Sequence, residues 1–453
     1  MKSNALIFLF SFLALPSGAH SLTDTDWHIT FRTNSYGPLE AVFSFSKHGD
    51  GYAMRRLSGV VDVISELSKA KNDTPDPLLA IKLEKIDNAY EGHLIGSKDK
   101  FLLKPTEKGF EGRIEGGRFA GSFSAVPAMM KGRQLRDYPE AIASFKKVVE
   151  ARVYKPRALE DPDWKKLTDN LDAVARMARD DIDMILGFQY SYEYKPFSHL
   201  TIGRSRVPAE TLMTEFDSYR IGGKPARVEF DGEIALLRVD TMMGLDTIEL
   251  IVAAYKEIAA KNAEALIIDL RGNEGGAFAI KPLIEHVIDK PVEAGYFITH
   301  NWNLRHDRLP KEEELKAIEP WQGFTLKAWW ASVQSESIIK LRFSPAEPNF
   351  DGPVYVLTDS HSASATEMAA DALKTSGTVT LVGETTAGKL LTQSPFDIEG
   401  GFQIFIPVGD YYSMQHGRIE GVGVKPNVEA PSRDALVEAR RLAREQLKKR
   451  LLE

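Results

Sequence analysis

Three short apolar runs in the second half of the chain are each followed at once by a loop of small residues. The runs are Ala265–Asp269, Val354–Thr358 and residues 379–382, and most of their side chains are aliphatic. Such runs are typical of strands that are buried on both faces. Residues 245–261 and 366–376 have helical periodicity. Strands that alternate with helices predict an α/β fold with a mostly parallel sheet and crossover connections.

The three loops carry the residue types that acyl transfer needs. In chain order they read DLRGNEGG, SHSASATE and GETTAGK. Sites in open α/β sheets gather at the carboxyl ends of strands, so we expect the loops to meet. Ser364 stands between two alanines and before a helix, whose N-terminal N–H groups favour negative charge. We therefore predict Ser364 as a nucleophile, with the backbone N–H groups of Ala365 and Gly275 as an oxyanion hole.

Each loop on its own also has a simple structural explanation. Ser364 or Thr366 could cap the helix that follows, and the glycine loop could be an ordinary tight turn. Neither loop has the spacing of a phosphate-binding loop or of a dinucleotide fingerprint. The catalytic interpretation therefore depends on the loops coming together at one edge of the sheet.

Together with the segment IEGVGVKP, which begins at Ile419, the loops resemble a known family of serine peptidases. This family includes the carboxyl-terminal processing (tail-specific) proteases and the core of the tricorn protease. The resemblance covers about residues 195–428. It implies an α/β crotonase-like peptidase core that hydrolyses peptide bonds through an acyl-enzyme. The middle serine of the SASA turn, Ser364, is then the nucleophile, and the substrates are peptides or proteins.

The resemblance implies two alternative arrangements of the general base. In the processing proteases a lysine is the base and a glutamine four residues later supports it. Lys389 and Gln393 match that pair. In the tricorn branch a Ser-His pair precedes the core and a glutamate follows it. Ser198, His199 and Glu420 match those positions, so the chain carries both sets.

A histidine base requires a smaller change of its ordinary pKa than a lysine base. The pKa of a free imidazole is ~6.5, whereas that of a free lysine is ~10.4 and must fall strongly before the amine can accept a proton near neutral pH. We therefore expect His199 to be the base if it reaches Ser364, and Lys389 to be the base if it does not. In the first case the Ser198 and Glu420 side chains assist.

Residue patterns divide the chain into five predicted segments. Residues 1–21 combine a basic start, an apolar run and small residues before a cleavage point, which indicates a signal peptide and export to the periplasm or medium. Residues 22–127 show period-two strands, which predict an antiparallel barrel or sandwich. Residues 128–198 have helical periodicity and predict a helical linker domain. The core is residues 199–431, and residues 432–453 are expected to form a charged C-terminal helix.

One part of the core differs from what the resemblance implies, and another part has no regular sequence pattern. Processing proteases usually carry a PDZ domain, but the 28 residues between His199 and Val228 are too few for one. Tail-specific recognition is therefore not implied. Residues 289–350 show no regular pattern and include Trp302, Trp321, Trp329 and Trp330. They predict either a substrate-gripping insertion or aromatic packing under a long loop.

Composition excludes several classes of function. Cysteine is absent, which rules out disulfides, a cysteine nucleophile and thiolate-bound zinc. The net charge of −7 does not indicate the basic surface that binds nucleic acid. No apolar run after the first reaches the ~20 residues of a membrane span. No HExxH or similar cluster occurs, so we expect no metal and no organic cofactor. The alternatives to a peptidase are a non-catalytic peptide-binding protein that retains the fold and an acyl-thioester enzyme.

Overall fold

The computed structural model of the protein describes most of the chain after the first twenty-two residues. The described residues are 23, 25–33, 38–63, 81–94, 99–116, 120–128, 134–193, 195–450 and 452. The predicted signal peptide lies outside them. By internal packing the described residues form two compact units. The first contains residues up to 140, 170–191 and 203–206, and the second contains residues 141–169, 192–202 and those from 207 onward.

Eight antiparallel strands of the first unit form a closed barrel, in which the last strand pairs with the first. The strands are β1 (Asp26–Thr33), β2 (Pro38–His48), β3 (Gly51–Arg56), β4 (Ile81–Ile86), β5 (Ala89–Leu94), β6 (Lys100–Thr106), β7 (Gly109–Glu115) and β8 (Gly121–Ala128). Alternate side chains of a strand point to one face, and β2 buries Leu39, Ala41, Phe43 and Phe45 in the barrel core. The predicted N-terminal antiparallel β domain is confirmed.

Helical structure follows the barrel, as the residue pattern predicted. The helices are α1 (Tyr138–Arg152), α2 (Pro162–Met177) and α3 (Asp181–Ser191). Within the first unit, α3 adds Ile182 and Ile185 to the barrel core. The buried Arg56 guanidinium lies 2.7 Å from an oxygen of Asp180 and 2.6 Å from an oxygen of Asp183. Because a buried charge needs such partners, these ion pairs hold the start of α3 against β3.

The second unit is built from two sheets and the helices around them. The first two residues of β9 (Thr201–Arg204) belong to this unit and the last two belong to the first unit. The other strands of the second unit are β10 (Ala226–Asp231), β11 (Ile234–Val239), β12 (Ala265–Asp269), β13 (Val292–Thr299), β14 (Ile338–Phe343), β15 (Val354–Thr358), β16 (Val379–Gly383), β17 (Leu391–Ile398), β18 (Phe402–Ser413), β19 (Gly417–Arg418) and β20 (Val428–Glu429). Its remaining helices are α4 (Ala209–Ser218), α5 (Leu245–Ala260), α6 (Ile280–Glu285), α7 (His300–Asn303), α8 (Glu312–Lys316), α9 (Leu326–Ser335), α10 (Ala365–Ser376) and α11 (Ser432–Arg450).

The first sheet of this unit has the order β10-β11-β12-β15-β16-β20. Only β10 and β11 are antiparallel, and every other neighbouring pair is parallel. The three apolar runs that define the predicted fold are its central strands β12, β15 and β16. C-terminal helix α11 packs small side chains, including Ala435, Ala439 and Ala443, into a cluster with sheet residues such as Leu357. The predicted mostly parallel sheet is therefore present, and the carboxyl ends of its central strands lie side by side.

The second sheet was not expected. It is antiparallel, with the order β14-β13-β18-β17, and two of its strands lie in the segment that we predicted to be irregular. That prediction was wrong because β13 pairs with β18, more than a hundred residues later, and such distant pairing has no local sequence signal. Trp329 and Trp321 join the hydrophobic core of this unit, so aromatic packing is one of their roles. Within the described residues, none of the helices is long and apolar enough to cross a membrane.

Candidate active site

Ser364 occupies a sharp turn between strand β15 and helix α10. Its backbone has φ 56° and ψ −123°, a left-handed conformation that is rare and strained for a residue other than glycine. Two hydrogen bonds hold this conformation. The Ser364 N–H donates to the carbonyl oxygen of Lys389 at 2.9 Å and to the Glu367 carboxylate at 3.1 Å. The turn thus presents a half-buried hydroxyl at the carboxyl end of β15.

Hydrogen bonds join the three predicted loops to one another. The N–H of Ala363, in the serine turn, donates to the carbonyl oxygen of Asn273 in the glycine loop at 3.0 Å. The N–H of Ala387, in the third loop, donates to the carbonyl oxygen of Ser362 at 3.0 Å. The loops follow adjacent parallel strands, which places them at one edge of the sheet. The expectation that the loops meet is therefore correct.

The imidazole of His199 reaches the hydroxyl of Ser364. The distance between His199 Nε2 and Ser364 Oγ is 3.0 Å. On the other side of the ring, His199 Nδ1 lies 2.7 Å from Ser198 Oγ. Ser198 is buried, and the backbone of His199 has a left-handed φ of 60°. These contacts fix the ring from both nitrogens and aim Nε2 at the serine.

Glu420 is buried and supports the histidine segment through the backbone. One carboxylate oxygen accepts the N–H of Ser198 at 3.1 Å, and the other accepts the N–H of Leu390 at 2.7 Å. A single side chain therefore ties the segment that carries His199 to the loop that carries Lys389. In this arrangement Glu420 positions the site through hydrogen bonds to the main chain.

Lys389 lies close enough to His199 to alter its charge state. Burial, and then the positive charge of Lys389, lower the pKa of the His199 imidazole to about 4. The imidazole is therefore neutral at neutral pH, which is the form that can accept a proton. Gln393, the other residue of the lysine arrangement, is exposed on β17 next to a β-bulge and lines the same cavity as Ser364.

Two buried polar residues of this site were missed at the sequence level. Glu367 accepts four hydrogen bonds at 2.6–3.1 Å, from Thr386 Oγ1 and from the N–H groups of Ser364, Gly388 and Lys389. Burial raises the pKa of the Glu367 carboxyl above its ordinary value. The Ser-x-x-Glu spacing of a capping box in SATE could have indicated this residue.

Asn273 is the second missed residue, and it organises the glycine loop. Its amide nitrogen donates to the carbonyl oxygen of Val239 at 3.0 Å. Its amide oxygen accepts the hydroxyl of Thr366 at 2.8 Å and the N–H of Gly275 at 2.9 Å. The predicted oxyanion donor Gly275 therefore points its N–H into its own loop in this structure. The reason is that the fully buried Asn273 amide needs a partner of its own.

Gly275 nevertheless lies directly against the serine turn. A Cβ atom at Gly275 would stand 2.8 Å from Ser364 Cβ and 2.7 Å from the carbonyl oxygen of Ala363. A side chain is thus excluded at this position. The N–H of Ala365, the other predicted oxyanion donor, belongs to the first turn of α10 beside Ser364. His361, in the same loop as Ser364, is exposed and lies three residues beyond the end of β15 and three residues before Ser364.

Curated relatives match only part of the chain. A carboxyl-terminal-processing protease from Synechocystis sp. is 31% identical over 187 residues, which are 39% of this chain and 36% of the relative. The chloroplastic carboxyl-terminal-processing peptidase 1 of Arabidopsis thaliana is 34% identical over 177 residues, which are 39% of this chain and 29% of the relative. The chain thus spans about a third of the length of these relatives.

Similarity to solved structures is broad in coverage and low in identity. A lipoprotein from Streptococcus agalactiae aligns over 70% of this chain and 99% of its own, with 16% identity and a TM-score of 0.45. The tricorn protease aligns over 90% of this chain and 46% of its own, with 11% identity and a TM-score of 0.43.

The family model named Peptidase family S41 matches residues 233–430. Ser364, Lys389, Gln393 and Glu420 lie inside the matched region, whereas His199 lies before it. The match agrees with the resemblance that the four sequence motifs carry. Residues 233–430 of this chain are therefore a peptidase family S41 domain.

Proposed function

We propose that the protein is a serine peptidase that hydrolyses peptide bonds through an acyl-enzyme on Ser364, with His199 as the general base. The observation that carries this proposal is the 3.0 Å contact between His199 Nε2 and Ser364 Oγ. This distance is within the range that a base needs to take the hydroxyl proton. The lowered pKa of His199 supports the same assignment, because it keeps the imidazole unprotonated at neutral pH.

The proposed reaction begins when Ser364 Oγ attacks the carbonyl carbon of the scissile bond and its proton moves to His199 Nε2. Nδ1 of the same ring then carries its own proton, which it donates to Ser198 Oγ. Negative charge develops on the carbonyl oxygen, where the N–H of Ala365 and the start of α10 stabilise it. Gly275 contributes its own N–H only if that group leaves Asn273.

The tetrahedral adduct collapses when the bond to the leaving amine breaks. His199 Nε2 gives its proton to that amine, and the peptide carbonyl remains bonded to Ser364 Oγ. A water molecule then loses a proton to His199 Nε2 and attacks the ester carbonyl. The bond between the acyl carbon and Ser364 Oγ breaks, His199 returns the proton to Oγ, and the acyl part leaves as a peptide with a new carboxyl terminus. Lys389 acts in this scheme as a positive charge that adds to the larger effect of burial in keeping the imidazole neutral. The competing scheme makes Lys389 the base, with Gln393 in support.

We extend the proposal to the fold and the location of the protein. We infer a crotonase-like core over residues 199–431 without a PDZ domain. In support of this, the described residues between His199 and the start of β10 at Ala226 form only one short strand, β9, and one helix, α4. The N-terminal β domain and the helical linker over residues 128–198 then lie outside this core, although Ser198, the last linker residue, contacts His199. The signal-like pattern of residues 1–21 supports export.

A serine-directed fluorophosphonate tests the proposal without knowledge of the natural substrate. We expect it to label Ser364 and to abolish hydrolysis of a casein-type protein substrate. Ser364→Ala should prevent both. The matched control is Ser360→Ala, because Ser360 is an exposed serine of the same loop and should remain fully active. Peptide binding without labelling or hydrolysis would support a non-catalytic binding protein and refute the peptidase.

A further inference from the structure

An apolar cavity of about 140 Å³ adjoins the proposed nucleophile. Ser364, Ala365 and His199 contribute to its lining. The rest is mostly aromatic and aliphatic, and it includes Phe278, Phe324, Trp329, Met368 and Leu390. Among the described residues that line this cavity there is no Asp, Glu, Lys or Arg. A charged group that entered it would lose its hydration and find no opposite charge.

Aromatic packing fixes the size of this cavity. The Nε1 of Trp329 donates to Thr392 Oγ1 at 2.7 Å, which holds the indole in one orientation. The ring centroid of Trp329 lies 5.0 Å from that of Phe297 and 5.0 Å from that of Trp321, both in edge-to-face geometry. Phe278 lies 6.3 Å from Trp329 in the same geometry. Such contacts favour a wall that exists before the ligand arrives.

The volume of the cavity matches one six-membered ring. An apolar cavity of ~150 Å³ in another protein is large enough to hold benzene. The cavity here has nearly that volume and opens beside Ser364 and the N–H of Ala365. A peptide whose carbonyl carbon lies at Ser364 Oγ carries the side chain of that same residue next to the attacked carbonyl. That side chain is therefore the part of the substrate that can enter the cavity.

We propose that the cavity binds the side chain on the acyl side of the scissile bond, and that it selects a ring-sized apolar residue, with phenylalanine as the best fit. This inference rests on the proposed function, because it places the substrate carbonyl at Ser364. The inference predicts that the protein cleaves most rapidly after phenylalanine and more slowly after leucine. Alanine leaves the cavity largely unfilled, and lysine or aspartate brings an unpartnered charge into it.

The test compares the rates at which three peptidyl phosphonate diphenyl esters inactivate the full-length protein. The esters differ only in the acyl-side residue, which is phenylalanine, alanine or lysine. We expect the phenylalanine ester to react at least tenfold faster than the alanine ester, and the lysine ester to be the slowest. Equal rates for the three esters, or the fastest rate with lysine, would overturn the inference.

Substitution of a cavity wall gives a second, independent measurement. Phe278→Ala should lower the ratio of the phenylalanine rate to the alanine rate at least fivefold. Phe324→Ala, which truncates a half-buried side chain on a loop, should also lower it and replaces the first variant if that does not fold. The control is Phe230→Ala, because Phe230 is half-buried on β10 and is not among the lining residues. An unchanged ratio in the wall variants would refute the assignment of this cavity.

Failure of the inference can be told from failure of the proposed function. A fluorophosphonate without an amino acid part reports whether Ser364 is reactive at all. If it reacts and the three esters show no preference, only the inference fails. If neither the fluorophosphonate nor any ester reacts, the peptidase proposal fails and the inference with it.

Discussion

One carboxylate, that of Glu420, accepts the backbone N–H of Ser198 and thereby holds the residue that precedes His199. Its second oxygen is bound to the N–H of Leu390. We expect Glu420→Ala to lower kcat by about 10- to 100-fold with little change in KM, because supports of this kind typically act through the orientation of the group they hold. Glu420→Gln keeps one acceptor and should recover part of the rate. Steady-state kinetics of both variants checks this expectation, and equal rates for the two would contradict a positioning role.

Substitution of the two candidate bases distinguishes the two mechanisms. Loss of a general base typically lowers the rate by ~10² to 10⁴. We expect His199→Ala to show a loss of this size and Lys389→Ala to show a smaller one. The measurement is kcat/KM for a peptide substrate, with circular dichroism as the control for folding. An inactive Lys389→Ala beside an active His199→Ala would establish the lysine scheme, and Gln393→Ala should then also be impaired.

The pH profile should depend on Lys389. The pKa of His199 is lowered to about 4, so kcat/KM should rise through that pH and stay level through neutrality. Lys389 carries a positive charge that disfavours the imidazolium, and its removal makes protonation of His199 easier. In Lys389→Met the acid limb should therefore move to higher pH, towards the ordinary histidine value of ~6.5. A limb that stays in place, or moves to lower pH, would contradict the electrostatic role of Lys389.

Glu367→Gln should lower both the stability of the protein and its peptidase activity, because Glu367 holds the turn that carries Ser364. The carboxylate accepts four hydrogen bonds, and an amide in its place turns an NH₂ group towards donors. A buried donor without an acceptor costs ~1–3 kcal/mol, so the free energy of unfolding should fall by about that amount. Chemical denaturation measures it. Glu384→Gln, on the neighbouring loop and half-buried, is the matched control and should change the free energy by less.

Chelation should leave hydrolysis unchanged. The proposed chemistry uses a hydroxyl, an imidazole and backbone N–H groups, and no step requires a Lewis acid. We therefore expect full activity after dialysis against EDTA. Loss of activity that one specific divalent metal restores would refute this part of the mechanism.

The strands and loops that carry the candidate site could be predicted from the sequence better than the second sheet of the same unit. The runs at β12, β15 and β16 are short and apolar, which identifies them as strands. Parallel pairing of these strands is then enough to place their loops at one edge of the sheet. The contact between His199 and Ser364 was expected only as one alternative, since 165 residues separate them. Strands β13 and β14 were missed because their partners are distant in the chain. The bond from Gly275 to Asn273 was missed because a backbone N–H has no residue-specific signal that shows where it points.

The contact of His199 with Ser364 also has a consequence for the order of events during synthesis. The region that matches the peptidase family contains the serine but begins after the histidine, and the glutamate that holds the histidine segment comes near its end. In the proposed mechanism a growing chain therefore acquires its base first, its nucleophile later and the support for the base last. Full activity then requires residues around 420 to fold back onto residues around 198. A chain that stops short of residue 420 would therefore contain both the base and the nucleophile but not the carboxylate that positions the base.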